Sequence, residues 1–159
     1  MKTPPLLVSA APHLRGPAST ATIMWHVVLS LLPVWGVAIW WYGPSAFLVV
    51  LAATVGCLLP ERLFGRRGAL SDGSCAITGL LLGLTLPPGL PLWMAFVGGF
   101  FAVAFGKLIF GGLGQNPFNP ALLGRAFLQA SFPVALTTWP APGGPWASLR
   151  GDNFAAPLM

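Results

Sequence analysis

The chain has 159 residues, 55% of them hydrophobic and only 7% charged, whereas charged residues make up about 25% of a soluble domain. This composition excludes an ordinary soluble domain and predicts an all-α protein with several membrane spans. The formal net charge of +5 does not indicate nucleic-acid binding, since the basic residues are scattered along the chain instead of clustered. The chain has three acidic residues and no zinc, phosphate-loop or Ser-His-Asp spacing, so we expect no catalytic residue and no metal site.

The segment 1–19 is expected to lie in the cytoplasm, ahead of the membrane domain. Its apolar run from Leu6 to Pro12 is interrupted by prolines and is too short for the core of a cleaved signal peptide. The first membrane helix is therefore expected to act as the insertion signal.

Two uncharged stretches follow, Thr20–Tyr42 and Pro44–Pro60. The first reaches the length of about 20 residues that spans the hydrocarbon of a bilayer, and Pro33 predicts a kink within it. Because only Gly43 separates the two stretches, they are expected to form an antiparallel pair. The second is expected to end before Glu61 and the arginines that follow it.

The remaining predicted helices are shorter or interrupted. Ser74–Leu86 has about 13 residues and is marginal as a span, whereas Pro91–Phe110 is a fourth full span. Lys107 lies near the end of that span, where we expect its ammonium group to reach the membrane surface. The polar stretch 115–120 predicts an extended or re-entrant entry to a fifth helix, Ala121–Leu136.

These elements predict a five-helix membrane domain over 20–139 and an exposed tail over 140–159. Basic residues precede the first span and follow the second, so both lie on one side of the membrane. The positive-inside rule makes that side cytoplasmic and leaves the tail in the periplasm. The residues on which this orientation depends are Lys2, Arg15, Arg62, Arg66 and Arg67.

Arg125 needs a partner, because a charge in the middle of a membrane costs about 2.5 to 3.5 kcal/mol on insertion scales. The partner is expected to be an anion, a cofactor, or the backbone carbonyls of the loop 116–119. The amides of Gln115, Asn116 and Asn119 suit the edge of an isoalloxazine or quinone ring as well as they suit backbone capping. Asn119 followed by Pro120 is also typical of a helix start.

Asp72 and His26 each have both a structural and a functional interpretation, whereas the two cysteines have a structural one. Asp72, with Ser74 and Thr78, either caps the third helix or takes part in ion coupling. His26 is either a core or interface residue or an axial ligand to haem or chlorophyll. Cys57 and Cys75 lack the spacing of a metal site or disulfide framework and are interpreted as buried, inert thiols.

Three blocks of the sequence together resemble a known family. They are APHLRGPASTATIMWHVVLSLLP, SDGSCAITGLLLGLTLPPGLPLW and GKLIFGGLGQNPFNPALLGRAFL, followed by SFP. In this order they resemble the first half of the RnfD/NqrB family, membrane subunits of the Rnf ferredoxin:NAD oxidoreductase and of the sodium-pumping NADH:quinone oxidoreductase.

The resemblance implies an all-helical fold of two inverted five-helix repeats, of which this chain is expected to supply one. It implies flavin-mediated electron transfer coupled to sodium or proton movement within a multisubunit complex of the bacterial inner membrane. Other membrane subunits are expected to cover the face left by the missing repeat, with lipids around them. Non-covalent flavin or quinone binding, or a structural role, is expected for Thr78, Gln115, Asn116, Asn119 and Arg125.

The family attaches FMN through a phosphoester to the threonine of an SGAT motif. Aligning the proline and leucine that follow this motif places the threonine on Ala156, and SGAT occurs nowhere in the chain. The chain is thus expected to be a non-autonomous, truncated subunit of an ion-translocating oxidoreductase without covalent FMN of its own. Two alternatives remain: an accessory subunit of a photosynthetic or respiratory complex that binds lipid, quinone or pigment, and a small transporter or channel.

Overall fold

The computed structural model describes residues 19–65 and 69–140, and within them the regular structure is helical throughout. The six α-helices of this part are α1 Thr20–Tyr42, α2 Pro44–Phe64, α3 Ser74–Thr85, α4 Leu92–Val103, α5 Pro120–Ser131 and α6 Pro133–Thr137. A 3₁₀ turn, Ala69–Asp72, precedes α3, and a π-helical turn, Ala104–Leu108, continues α4. The predicted all-α class is confirmed.

Helix α1 has the predicted bounds and runs through Pro33 without a break in its assignment. Ser19 caps it, since its hydroxyl accepts a hydrogen bond from the Thr22 amide at 3.2 Å. Helices α1 and α2 are long and apolar enough to cross a membrane, each with a mean hydropathy of 1.8. Helix α1 lies at the periphery, whereas α2 packs against both α3 and α4.

Gly98 and Gly99 on α4 allow this helix to pack closely against α5 and α2. A Cβ atom added to Gly99 would lie 2.2 Å from the Ala53 carbonyl oxygen on α2, and one added to Gly98 would lie 2.4 Å from a Leu128 methyl. Close backbone approach through small residues is a common way for membrane helices to pack. Leu82 and Leu128, fully buried in the main hydrophobic cluster, lie at the centre of this packing.

The predicted ends of α2 and of the fifth span need correction. Helix α2 continues past Pro60 to Phe64, which brings Glu61 inside the helix. The predicted helix Ala121–Leu136 is two helices, so the described residues hold six α-helices instead of five. The break falls at Phe132, with φ −135° and ψ 59°, because a residue that precedes a proline is driven away from helical geometry.

Candidate functional site

A buried polar cluster joins the end of α2 to the start of α3 and to the π-helical turn. The Lys107 ammonium forms an ion pair with Glu61 Oε1 and donates to Ser74 Oγ at 2.5 Å. It also lies 3.8 Å from Asp72 Oδ2. Lys107 and Glu61 are only 3% and 2% exposed, so the charges neutralise each other away from solvent. Lys107, Glu61, Ser74 and Asp72 are called the Lys107 cluster below.

Local structure holds each side chain of the Lys107 cluster in place. Asp72 ends the 3₁₀ turn, and its Oδ1 accepts from the amide of Ser74 at 2.8 Å and from its hydroxyl at 2.7 Å. Glu61 lies in the last turn of α2, where its second carboxylate oxygen accepts from the thiol of Cys75. Lys107 belongs to a π-helical turn, a rare element that often lies at functional sites.

The prediction that Lys107 reaches the membrane surface is wrong. Its side chain turns into the bundle because the carboxylates of Glu61 and Asp72 provide negative charge there. The ammonium group therefore does not need to reach the membrane surface. Truncating one member of a buried ion pair costs about 3 to 5 kcal/mol, since the other charge is left without compensation. The two residues therefore depend on each other.

A cavity of about 290 Å³ adjoins the Lys107 cluster. Its polar lining comes from Lys107, Ser74, Thr78, Asn116 and Asn119. Apolar side chains complete the wall, and they are Met24, Ile77, Leu81, Leu113 and Pro120. The volume lies near the lower end of the range typical of small-molecule pockets, about 300 to 1,000 Å³, and the mixed lining has the few polar groups that orient a ligand.

The sequence profile of the NQR2, RnfD, RnfE family matches residues 7–158. The chain belongs to this family. The resemblance found in the three sequence blocks is thereby confirmed. Together with the two long apolar helices, membership indicates that the protein lies in a membrane.

Two relatives illustrate what this member of the NQR2, RnfD, RnfE family is similar to. A subunit of the ion-translocating oxidoreductase complex of Alcanivorax borkumensis is 42% identical over 151 residues, which cover 91% of this chain and 44% of that protein. A subunit of the proton-translocating ferredoxin:NAD(+) oxidoreductase complex of Clostridium ljungdahlii is 40% identical over 136 residues, 83% of this chain and 41% of that protein. The chain thus spans less than half the length of these relatives.

The structure brings three of the five predicted ligand residues of this family member to one cavity. Thr78 donates its hydroxyl hydrogen to the Ser74 carbonyl at 2.9 Å, and the Asn116 amide donates to the Phe118 carbonyl at 2.9 Å. Asn119 Oδ1 accepts from the Ala121 amide at 3.0 Å, which confirms its prediction as the cap of α5. Each of these three side chains is thus held in the cavity lining by a hydrogen bond.

Arg125 and Gln115 lie outside the cavity lining. Arg125 donates to the backbone carbonyl of Thr85, at the end of α3, and not to the expected carbonyls of the loop 116–119. It therefore ties α5 to the turn that contains Pro87 and Pro88. Gln115 is exposed and packs beside Gly111.

The remaining predicted residues have mixed outcomes. Cys57 and Cys75 are buried free thiols, as predicted. His26 is exposed on α1, so it is not a core residue. Asp72 bonds the Ser74 amide as a cap would, which supports the capping interpretation, and it also lies near Lys107; its role in ion coupling stays a prediction. Ala156, the residue aligned with the flavin-bearing threonine, lies outside the described residues.

Sequence reasoning missed the pairing of Glu61 with Lys107. A signal was present, since the predicted topology puts both residues at the same side of the membrane, at the ends of two apolar stretches. An ionisable residue within membrane helices is by default a candidate for function. The predicted position of Lys107, near the end of a span, favours a short path to water and so gives no indication of a buried partner.

Proposed function

We propose that the chain is a membrane subunit of an ion-translocating oxidoreductase complex and that it takes part in electron transport. The observation that carries this proposal is the family match over residues 7–158, with relatives about 40% identical that are named as subunits of such complexes. The chain is proposed to act together with other subunits, since the names of these relatives describe parts of multisubunit assemblies.

The cavity beside the Lys107 cluster is the proposed binding place for a planar redox group, a flavin or a quinone, held without a covalent bond. Asn116, Asn119 and Thr78 place amide and hydroxyl groups at its wall, where they can bond the edge of such a ring. When bound, a flavin or quinone supplies electron transfer. The residues of this chain would bind its edge through their amide and hydroxyl groups.

Covalent FMN does not fit this chain at the position that the resemblance implies. A phosphoester needs a side-chain hydroxyl, and Ala156 has none. Any covalently attached flavin of the complex is therefore proposed to be carried by another subunit.

The proposed orientation has the N-terminus in the cytoplasm and the end of the chain in the periplasm, as the basic residues favour. Other subunits and lipids are proposed to cover the apolar surface. Highly exposed apolar side chains on this surface include Trp40, Leu122 and Val134, with exposed fractions of 64%, 61% and 76%.

Purification of the native complex under mild detergent tests the proposal. The bands of a denaturing gel are viewed under ultraviolet light and each is identified by mass spectrometry. Iron-sulfur and flavoprotein subunits of an ion-translocating oxidoreductase are expected beside this chain. A fluorescent band at the mass of this chain, 16.6 kDa, would refute the proposed lack of covalent flavin.

A second candidate is an accessory subunit of another photosynthetic or respiratory complex. The observation that favours it is the lack of an SGAT motif in the sequence. Under this alternative, photosynthetic or respiratory subunits replace the oxidoreductase subunits among the purified bands.

A further inference from the structure

Helix α5 has polar side chains on the side that points away from the bundle. Leu122, Ala126 and Gln129 are exposed, and their spacings of four and three residues put them on one face of the helix. Arg125 is partly buried and lies at the border of this face. The buried residues of α5 lie on the opposite side, against the other helices. Leu122, Arg125, Ala126 and Gln129 are called the α5 outer face below.

The charge of Arg125 has no counter-charge within the described residues. A guanidinium group has five N–H donors, and in this part of the chain Arg125 makes one hydrogen bond, to the neutral carbonyl of Thr85, and no ion pair. Among the side chains of residues 19–65 and 69–140, Trp35 Nε1 is the only buried nitrogen or oxygen atom without a partner. The other nitrogen atoms of Arg125 are therefore accessible from outside the bundle.

This uncompensated charge lies within the length of a membrane span. Gly83, two residues before the Thr85 carbonyl, packs against Val50 in the second turn of α2. Outside the bundle at this depth there is hydrocarbon, unless another protein lies there. Ionisable side chains within membrane helices almost always face protein or a water-filled cavity, because exposure to lipid is costly. The accessible side of Arg125 therefore requires a polar neighbour.

Two further residues of the α5 outer face suit a neighbouring helix. Ala126 is small and lies between Leu122 and Gln129, and small residues allow two membrane helices to approach closely. The amide of Gln129 is a group that forms hydrogen bonds between membrane helices. A lipid chain has no group that could bond this amide.

The acidic residues of this chain do not supply the counter-charge from the described part of the structure. The sequence has three, Glu61, Asp72 and Asp152. Glu61 and Asp72 both face Lys107, and Asp152 lies outside the described residues. A second copy of the chain would bring the same two occupied carboxylates. The counter-charge is therefore expected on a different polypeptide.

We propose that the α5 outer face binds a transmembrane helix of a partner subunit, and that an Asp or Glu side chain of this helix forms an ion pair with Arg125. Guanidinium and carboxylate groups match in a bidentate geometry, which makes arginine well suited to a pair at an interface. Gln129 bonds the same helix, and Ala126 lets it approach. The proposal goes beyond the proposed function, since it holds for whichever complex contains the chain.

Photo-crosslinking in native membranes identifies what covers the α5 outer face. The variant Leu122→p-benzoylphenylalanine of the full chain is illuminated, and the cross-linked peptides are identified by mass spectrometry. The expected product joins this chain to a membrane helix of a partner subunit that contains Asp or Glu. Cross-links to lipid alone, to a helix without an acidic residue, or to the segment of this chain around Asp152 would overturn the proposal.

Reversal of the two charges tests the ion pair itself. Arg125→Glu is expected to lower the amount of this chain that co-purifies with the cross-linked partner about tenfold, because two carboxylates then face each other. An arginine in place of the acidic residue of the partner helix is expected to restore most of the association. A purely structural role of Arg125 within its own chain predicts no such rescue, and a lack of rescue would overturn the proposal.

Arg125→Glu also loses the bond to Thr85, so a variant that leaves this bond intact covers the case in which it does not fold. Ala126 is exposed, and Ala126→Trp is expected to leave the thermal midpoint of the chain purified alone unchanged. The same variant is expected to co-purify several-fold less with the partner, because the indole ring keeps the two helices apart. Ala126→Ser keeps the small size and is the matched control, with co-purification as for the unmodified chain. Undiminished co-purification of Ala126→Trp would overturn the proposal.

Failure of this proposal and failure of the proposed function give different results. Photosynthetic or respiratory subunits among the purified bands would refute the proposed function, yet a cross-link to an acidic membrane helix of one of them would still support the ion pair. Oxidoreductase subunits together with a cross-link to lipid alone would leave the proposed function standing and refute the docking surface.

Discussion

Lys107 and Arg125 are both cationic side chains within the helical bundle, yet they are stabilised in different ways. Lys107 contacts carboxylates and a hydroxyl beside a cavity, whereas Arg125 donates to the backbone carbonyl of Thr85. A carboxylate is ionisable and carries a charge, whereas a peptide carbonyl at a helix end is neutral and only accepts a hydrogen bond. Lys107 is therefore stabilised by opposite charge within the bundle, whereas Arg125 is stabilised by a hydrogen bond to the backbone.

The largest expected effect is at Glu61. Glu61→Gln should lower the free energy of unfolding by about 3 to 5 kcal/mol, because Lys107 then keeps a buried charge without its close partner. The measurement is denaturant unfolding of the full chain in mixed micelles. Arg62→Gln, on the neighbouring exposed position, is the matched control and should change little. A loss as small as that of the control would place Lys107 in contact with water.

Substitution of Arg125 should give a smaller effect than substitution of Glu61. Arg125→Met should cost about 1.5 to 3 kcal/mol, the contribution of a hydrogen bond from a charged donor. The same unfolding titration measures this loss. A loss as large as that of Glu61→Gln would contradict a single backbone hydrogen bond as the role of Arg125.

Helix α4 connects both regions, since it leads into the turn with Lys107 and packs on α5. Gly99→Ala should cost about 1 to 3 kcal/mol, because the new methyl group would lie 2.2 Å from the Ala53 carbonyl oxygen. Gly36→Ala has nothing within 4 Å of the new atom and should be neutral or slightly stabilising. Thermal unfolding of the two variants side by side checks this, and equal midpoints would contradict the close packing of α2 and α4.

The smallest expected effect is at Asn119, in the lining of the cavity. Asn119→Ala should cost about 1 kcal/mol through loss of the cap on α5, and Asn119→Ser should restore most of it because serine is also a good cap. If the cavity binds a flavin or quinone, Asn119→Ser should still weaken that binding, since the amide is gone. Fluorescence quenching of added riboflavin or binding of a short-chain quinone measures the second effect, and unaltered binding would remove Asn119 from the ligand contacts.

Local signals were sufficient for part of this structure. The bounds of α1 and the cap at Asn119 follow from an uncharged stretch and from an Asn-Pro pair, which act within a few residues. Pro133 is a local signal for the break that precedes it. The apolar pattern continues across this proline, however, and predicts one helix. Thr78, Asn116 and Asn119 are among the predicted ligand residues, and they do share a cavity.

The Lys107 cluster depends on long-range geometry that no local pattern contains. Glu61 and Lys107 are 46 positions apart, and their contact requires α2 to extend beyond Pro60 and α4 to continue as a π-helical turn. The partner of Arg125 likewise lies 40 positions away, at the end of α3. Spacing along a sequence cannot tell which of several helix ends a long cationic side chain will meet.

A double-mutant cycle between Glu61 and Lys107 is the most direct test of the buried ion pair. Unfolding free energies are measured for the unmodified chain, Glu61→Gln, Lys107→Met and the double variant in the same micelles. A buried pair predicts that the double variant is more stable than the sum of the single losses implies, with a coupling energy of about 1.5 to 3 kcal/mol. Additive losses, with a coupling energy near zero, would contradict the buried ion pair on which the site depends.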